Sequence, residues 1–131
     1  ILFLQDVIDE LQLKDIVAIH GRAEDLARDA AYREQYDLCV SRAVANLSTL
    51  AEYCLPFVKI GGQFVSYKSG ECDEEVQDAK SSVFLLGGKV KNVTKFKLGD
   101  AKRSFIAIEK VAGTSKKYPR KAGVPSKTPL K

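Results

Sequence analysis

The sequence predicts an α/β domain with a parallel, doubly wound sheet that ends in an antiparallel hairpin. The main observation is the segment 36–70, which holds an apolar run, a helical segment and a second apolar run. Such a strand–helix–strand unit places two parallel strands in one sheet, with the helix packed on it. Two further observations agree: helical and apolar segments also alternate before and after this unit, and two extended segments follow near the carboxyl end.

The first part of the chain predicts a helix, a strand and a second helix. Residues Ile1–Leu13 carry apolar side chains at helical spacing. Residues Ile16–Ile19 form a β-branched apolar run, which is typical of a buried parallel strand. A short helix is predicted over Ala23–Ala30, because two acidic residues stand in its first turn, where the helix dipole favours them.

The strand–helix–strand unit begins with a predicted strand at Asp37–Val40. Asn46 is a good N-cap for the helix that follows, and Pro56 should end that helix. Gly61-Gly62 predicts a turn, after which a second strand, Phe64–Tyr67, begins. We assign the intervening helix a packing role only. Its core stripe consists of Leu47, Leu50, Ala51 and Cys54.

A further helix and a hairpin are predicted after this unit. The helix spans Asp73–Leu85 and ends at Gly87-Gly88. The hairpin strands are Lys89–Leu98 and Ser104–Val111. The first of them alternates, so that Val90, Thr94, Phe96 and Leu98 should share one face and four lysines the other.

Residues 112–131 differ from the rest of the chain in charge and composition. They contain six basic residues, no acidic residue and three of the four prolines. Because the whole chain has a formal net charge of +4, residues 1–111 have a net charge of −2. We predict a domain over residues 1–111, followed by a basic tail that is extended or disordered unless a partner orders it.

The cysteines and the single histidine do not predict a reactive or metal-binding site. Cys39, Cys54 and Cys72 lack paired zinc-site spacing, so we interpret them as structural thiols in the reducing cytoplasm. His20 has no local carboxylate or cysteine partner, and we assign it no catalytic role. No apolar run approaches the ~20 residues that would cross a bilayer.

Ligands of doubly wound sheets bind at the carboxyl ends of the strands. The three predicted parallel strands are followed by His20–Glu24, Ser41–Ala43 and Lys68–Gly70, and each set contains a basic residue: Arg22, Arg42 or Lys68. Three cations at one sheet edge favour an anionic ligand. The sequence has no G-x-G-x-x-G or Walker motif and no serine, cysteine or histidine constellation for covalent catalysis.

Several blocks of the sequence resemble one enzyme family. LPFVKIGGQFVSYKSG resembles the class I S-adenosylmethionine-dependent methyltransferases. More narrowly, HGRAEDLA, YDLCVSRAVANLSTLAEYCLPFVKIGG, RSFIAIEK and KYPRKAGVPSKTPL resemble the bacterial ribosomal RNA small subunit methyltransferase G family, also called glucose-inhibited division protein B.

This resemblance implies a Rossmann-like sheet of which this chain is the carboxyl-terminal part. The first βαβ portion and the glycine-rich cofactor loop would precede Ile1, so we expect the chain alone to be inactive. In the family's sheet, two further strands lie between Ile16–Ile19 and Asp37–Val40. Without them strand edges would be exposed, and we expect this part alone to aggregate.

The resemblance also assigns roles to individual residues. Ala23 and Glu24 would border the adenine of S-adenosylmethionine, and Arg42 would lie beside the cofactor and the target base. Lys68 and Arg103 would face the RNA. The basic tail would follow the phosphate backbone through Lys116, Lys117, Arg120 and Lys121.

The implied reaction is methylation of guanine N7 in 16S rRNA of the small ribosomal subunit. N7 carries a lone pair and no proton, so direct transfer needs no general base, which agrees with the absence of a convincing base in the sequence. Two alternatives stay open. One is a small-molecule methyltransferase of the same fold, and the other is a non-catalytic RNA-binding module.

Overall fold

The computed structural model describes residues 2–42, 45–70 and 72–131. The elements are α1 (Leu2–Glu10), α2 (Ala23–Leu26), β1 (Tyr36–Arg42), α3 (Leu47–Cys54), a 3-10 helix (Leu55–Phe57), β2 (Val58–Ser69), α4 (Asp73–Leu85), β3 (Gly88–Leu98), β4 (Ala101–Lys110) and α5 (Val124–Lys127). The strands lie in the order β1-β2-β4-β3; β1 and β2 are parallel, and β4 is antiparallel to both of its neighbours. The predicted α/β class, with parallel strands followed by an antiparallel hairpin, is confirmed.

The predictions for α3 and α4 are confirmed. The Asn46 side chain accepts a hydrogen bond from the Thr49 N–H at 2.9 Å, which satisfies one of the free N–H groups of the first turn of α3. At its other end the chain tightens into the 3-10 helix that contains Pro56. α4 has three acidic residues in its first turn, and Gly87, with a φ of +89°, follows its end.

Gly61 and Gly62 lie inside β2, so the predicted turn at this point is wrong. β2 continues without interruption through both glycines. Gly61 has a φ of +92°, and a Cβ on Gly62 would lie 2.6 Å from the carbonyl oxygen of Asp37. The pairing with β1 shifts register between Tyr36 and Leu38. The two glycines therefore lie in an irregular part of the strand pairing, where residues 59–62 of β2 stand opposite one residue of β1, instead of in a turn.

The predicted strand at Ile16–Ile19 does not form. The segment has no strand pairing, and Ile16, Val17 and Ile19 are exposed. A strand needs a neighbour that takes up its N–H and C=O groups, and within the described ranges the sheet contains only β1 to β4. The flanking helices are also shorter than predicted, since α1 ends at Glu10 and α2 ends at Leu26.

The terminal hairpin forms as predicted, but the predicted division of β3 into an apolar face and a lysine face is wrong. The pairing with β4 shifts register between Val90 and Asn92. This bulge changes which side chains point to the core. Val90 and Val93 pack against the core, whereas Phe96 contacts aromatic rings on the opposite face of the sheet.

The core lies between the sheet and the helices α3 and α4. Phe64 of β2 and Ile106 and Ile108 of β4 are fully buried there, together with side chains from both helices. All residues of α3 except Tyr53 are buried, so this helix is covered on more than one side. In the described part of the chain, no helix has the length and apolar content needed to cross a membrane.

Residues 112–131, which we call the strap, are folded against the body of the molecule. The predicted extended or disordered tail is therefore wrong. Pro119 and Pro125 are buried, and the strap contains α5. Its carbonyl groups accept hydrogen bonds from Thr49 of α3 at 3.1 Å and from Ser82 of α4 at 3.0 Å. The domain boundary after residue 111 stays a prediction.

Candidate functional site

Arg42 is the last residue of β1, and its side chain is exposed at the carboxyl end of the parallel strands. It lines a cavity of about 420 Å³. Among the described residues, the lining contains no carboxylate, imidazole or thiol. It combines the Arg42 guanidinium group with apolar side chains and with the hydroxyls of Ser41 and Tyr67. Ala43, predicted to belong to the same set, lies outside the described residues. The lining consists of Val40, Ser41, Arg42, Val65, Tyr67 and Phe105.

An aromatic cluster connects Arg42 with Arg103. Tyr67 is the partner of Arg42 in the pairing of β1 with β2. Its hydroxyl accepts a hydrogen bond from Nε of Arg103 at 3.1 Å. The Tyr67 ring lies 5.4 Å from that of Phe105 and 6.5 Å from that of Phe96, measured between centroids. Tyr67 thus lies between the two arginines.

Sequence analysis missed Tyr67 and its aromatic neighbours. Their spacing in the chain predicts no site, because the rings come together only through the strand order of the sheet. One signal in the sequence pointed to Tyr67: it directly precedes Lys68, which we selected because it follows a predicted strand.

Arg103 also lines a basic hollow at the end of the hairpin. This cavity has a volume of about 270 Å³ and contains three lysines besides Arg103. Lys95 pairs with Asp73 of α4 at 2.7 Å. The hollow therefore combines positive charge with an aromatic side chain, Phe96. Its lining consists of Gly70, Lys95, Phe96, Lys97, Lys102, Arg103 and Ser104.

Ala23 and Glu24 begin α2, and the Glu24 side chain points into the protein. Its carboxylate accepts a hydrogen bond from Arg22 Nη2 at 3.0 Å and another from the Gly123 N–H at 2.9 Å. Burial opposes ionisation of this carboxyl, but the hydrogen bonds, with the charge of Arg22, outweigh it and hold the pKa of Glu24 below its usual value. The same contact raises the pKa of Arg22.

A third cavity brings the α2 segment next to β1. It has a volume of about 300 Å³, and Val40 lines both this cavity and the one at Arg42. Ile19 and Leu26 line its other side. The segment that carries Ala23 and Glu24 and the strand that carries Arg42 therefore border adjoining spaces.

A family model described as rRNA small subunit methyltransferase G matches residues 1–106. The chain belongs to the rRNA small subunit methyltransferase G family. It is 50% identical over 131 residues to the ribosomal RNA small subunit methyltransferase G of Clostridium botulinum (strain Loch Maree / Type A3). It is 52% identical over 130 residues to that of Acetivibrio thermocellus. These matches cover 98% of this chain and 55% and 53% of the relatives, so the chain spans about half their length.

A solved structure supports the fold assignment. The chain matches M. jannaschii TYW2 in complex with AdoMet with a TM-score of 0.61 and 13% sequence identity. The match covers 83% of this chain and 52% of that chain. At this level of identity the likeness concerns the fold, and it agrees with the class I methyltransferase sheet that the sequence predicts.

Lys68 does not take the place that the methyltransferase G resemblance implies. Its side chain is 7% exposed, and Nζ lies 2.5 Å from a carboxylate oxygen of Glu75. Nζ also donates a hydrogen bond to the Ala45 carbonyl at 2.7 Å. The prediction that Lys68 faces the RNA is therefore corrected, because a buried and paired ammonium group presents no charge to solvent. Its contacts instead hold the backbone that follows Arg42.

Arg120 is also engaged within the fold. Its guanidinium group binds the fully buried carboxylate of Glu52 on α3, with an Nη2 to Oε1 distance of 2.9 Å. The Arg120 side chain is 25% exposed, so the ion pair leaves part of it open to solvent, and its role in RNA binding stays a prediction. The other tail residues of the prediction, Lys116, Lys117 and Lys121, are exposed.

The three cysteines are free thiols, and none of them lines the cavity at Arg42. Cys54 and Cys72 are buried, and Cys39 is partly buried. Contact with Cys39, together with burial, raises the pKa of the Cys54 thiol well above its usual value. Cys54 is therefore a neutral thiol at physiological pH, in agreement with a structural role.

Proposed function

We propose that the protein to which this chain belongs methylates guanine N7 of 16S rRNA in the bacterial cytoplasm, with S-adenosylmethionine as methyl donor. Family membership supports methyl transfer to ribosomal RNA. The choice of N7 rests on one observation: Arg42 lines a largely apolar cavity whose described lining contains no carboxylate, imidazole or thiol.

The chemistry of N7 fits such a cavity. When bound, S-adenosylmethionine supplies a methyl group on a positively charged sulfur. Because N7 carries a lone pair and no proton, methyl transfer to it would release no proton, and the residues of the protein would not have to supply a base. The protein then has only to position the two reactants and exclude water.

Residues of this chain have distinct roles in the proposal. Ala23 and Glu24 contact the adenine through their backbone, and Arg42 lies between the cofactor and the target base. Arg103 and the exposed strap lysines bind RNA phosphates as point charges. Because the 131 residues contain no G-x-G-x-x-G motif, we expect them not to transfer methyl groups on their own.

The test uses the protein as its gene encodes it, with labelled S-adenosylmethionine and small-subunit rRNA. The proposal expects the label in 7-methylguanosine after digestion to nucleosides. Label on adenine, on cytosine or on a small molecule would overturn it.

The residue-level test is Arg42→Ala, with Lys80→Ala as a control that removes an exposed cation of α4. Loss of a positioning contact is expected to lower turnover at least tenfold, a barrier change of ~1.4 kcal/mol. Normal cofactor affinity together with normal turnover in Arg42→Ala would refute the role of Arg42.

A further inference from the structure

The carboxylate of Glu24 connects the start of α2 with the strap, 99 residues later in the chain. Glu24 is only 3% exposed. Its oxygen Oε2 accepts hydrogen bonds from the Gly123 N–H and from Arg22. Both donors act on the ionised form, so the contact is charge-assisted and directional.

Two arginines after α2 make further contacts with the strap. Arg28 donates a hydrogen bond to the Pro119 carbonyl. Arg33 donates to the carbonyl groups of Tyr118 at 2.8 Å and of Thr114 at 3.0 Å. Residues 24–33 are thus attached to the strap at several points along their length.

The strap is also anchored to α3. Glu52 holds Arg120 through its side chain and also accepts a hydrogen bond from the Arg120 backbone N–H at 2.7 Å. Thr49 donates to the Pro125 carbonyl at 3.1 Å. The strap therefore forms a bridge between the packed core and the residues around Glu24.

We propose that the strap is a structural part of the cofactor site, and that Gly123 is a positioning residue that acts through Glu24. The start of α2 and the residues after it are joined to the strap by hydrogen bonds from Gly123 to Glu24, from Arg28 to Pro119 and from Arg33 to Tyr118. Two hydrogen bonds to the Glu24 carboxylate fix where the backbone of residues 23 and 24 lies. This inference rests on the proposed contact of that backbone with the adenine.

Gly123 is suited to test this proposal. Its φ of +89° lies in the left-handed backbone region, which strains residues other than glycine. A Cβ at this position would meet no atom within 4 Å. Gly123→Ala therefore disturbs the strap backbone without a steric clash. Gly61 has nearly the same φ, +92°, and equally open space, and it lies outside the strap. Gly61→Ala is thus a matched control for the cost of the strained backbone.

The experiment measures S-adenosylmethionine binding by titration calorimetry in the protein as its gene encodes it, well below the melting temperature of each variant. Gly123→Ala and Glu24→Ala are expected to raise the dissociation constant about tenfold. Gly61→Ala should change it by no more than about twofold. Glu24→Gln, which keeps an oxygen that can accept from the Gly123 N–H, should recover most of the affinity that Glu24→Ala loses.

The outcomes separate this inference from the proposed function. If the unmodified protein gives no binding heat, the proposed function fails and the inference fails with it. If the protein binds and Gly123→Ala matches Gly61→Ala, the inference alone is overturned. Should Glu24→Ala not fold, the comparison of the two glycine variants decides the question by itself.

Discussion

Arg120→Ala removes the cation that neutralises a fully buried carboxylate. Glu52 on α3 has 0% exposure, and it accepts hydrogen bonds from Arg120 through the backbone N–H at 2.7 Å, Nε at 3.1 Å and Nη2 at 2.9 Å. The alanine variant keeps only the first of these donors. Glu52 is then left as a buried anion with a single hydrogen bond from the strap.

The expected cost follows from this geometry. Removing one partner of a buried ion pair costs ~3–5 kcal/mol. The Arg120 side chain is 25% exposed, so water can replace part of its contact, and the backbone N–H stays in place. We therefore expect a loss of ~2–3 kcal/mol in the free energy of unfolding of the protein as its gene encodes it. The relatives are about twice as long as this chain, and for that size the loss lowers the melting temperature by ~8 °C.

Urea unfolding followed by far-ultraviolet circular dichroism measures this loss. Lys121→Ala is the matched control, because it removes the same charge from the next residue, which is exposed. The control should change the free energy of unfolding by less than ~0.5 kcal/mol. If Arg120→Ala is as stable as Lys121→Ala, the ion pair does not anchor the strap, and the reasoning from burial is refuted.

Three further predictions concern charged side chains. Lys68→Met should destabilise the protein by ~2 kcal/mol, because Glu75 loses its buried cation. It should leave the salt dependence of RNA binding unchanged. A shallower salt dependence would show that Lys68 does face the RNA. Replacing Lys116, Lys117 and Lys121 by alanine should reduce the log–log salt slope of RNA binding by ~2, and an unchanged slope would favour a small-molecule substrate. The pKa of Glu24 is lowered in the folded protein, so its stabilising contribution is complete above the unfolded value of ~4.3 and disappears as the pH falls through the folded value. When the free energy of unfolding is followed as the pH is lowered, Glu24→Gln should lack the loss of stability that Glu24 causes in the unmodified protein. The same pH dependence in both proteins would contradict a stabilising role of the Glu24 carboxylate.

The elements that sequence analysis predicted correctly are those with local causes. Asn46 caps α3 through a contact with a residue three positions later, and Pro56 tightens its end. The helix Asp73–Leu85 has its exact predicted bounds, because acidic residues at its start and Gly87 after its end are signals within the segment itself. The hairpin also needs only two adjacent strands and a short turn.

The wrong predictions concern features that depend on distant parts of the chain. Ile16–Ile19 has the composition of a strand, but composition does not supply a neighbouring strand. The bulge after Val90 in β3 follows from its pairing with β4, which the alternation of a single strand does not show. The strap looks disordered by composition because its anchors, Glu24 and Glu52, lie far away in sequence.

The predictions for the candidate site likewise succeeded where the cause is local and failed where it depends on distant residues. Arg42 was predicted from its place after a strand, and it is exposed at that strand end. Lys68 and Arg120 were selected by the same reasoning about charge, but both are paired with buried or partly buried carboxylates. The informative signal was an acidic residue on a helix face that packing buries, since such a residue requires a cation.

The helix α3 therefore does more than pack on the sheet, which was the role that the sequence predicted for it. The chain enters α3 five residues after Arg42, and this connection is held by the Asn46 cap and by Lys68, which binds the Ala45 carbonyl. The buried carboxylate of Glu52, on the same helix, binds Arg120 of the strap. The same helix thus fixes both the chain that leaves Arg42 and the segment that reaches Glu24. A perturbation of α3 that leaves the linings of the Arg42 cavity and the α2 cavity unchanged should accordingly weaken both cofactor binding at the proposed site and the attachment of the strap.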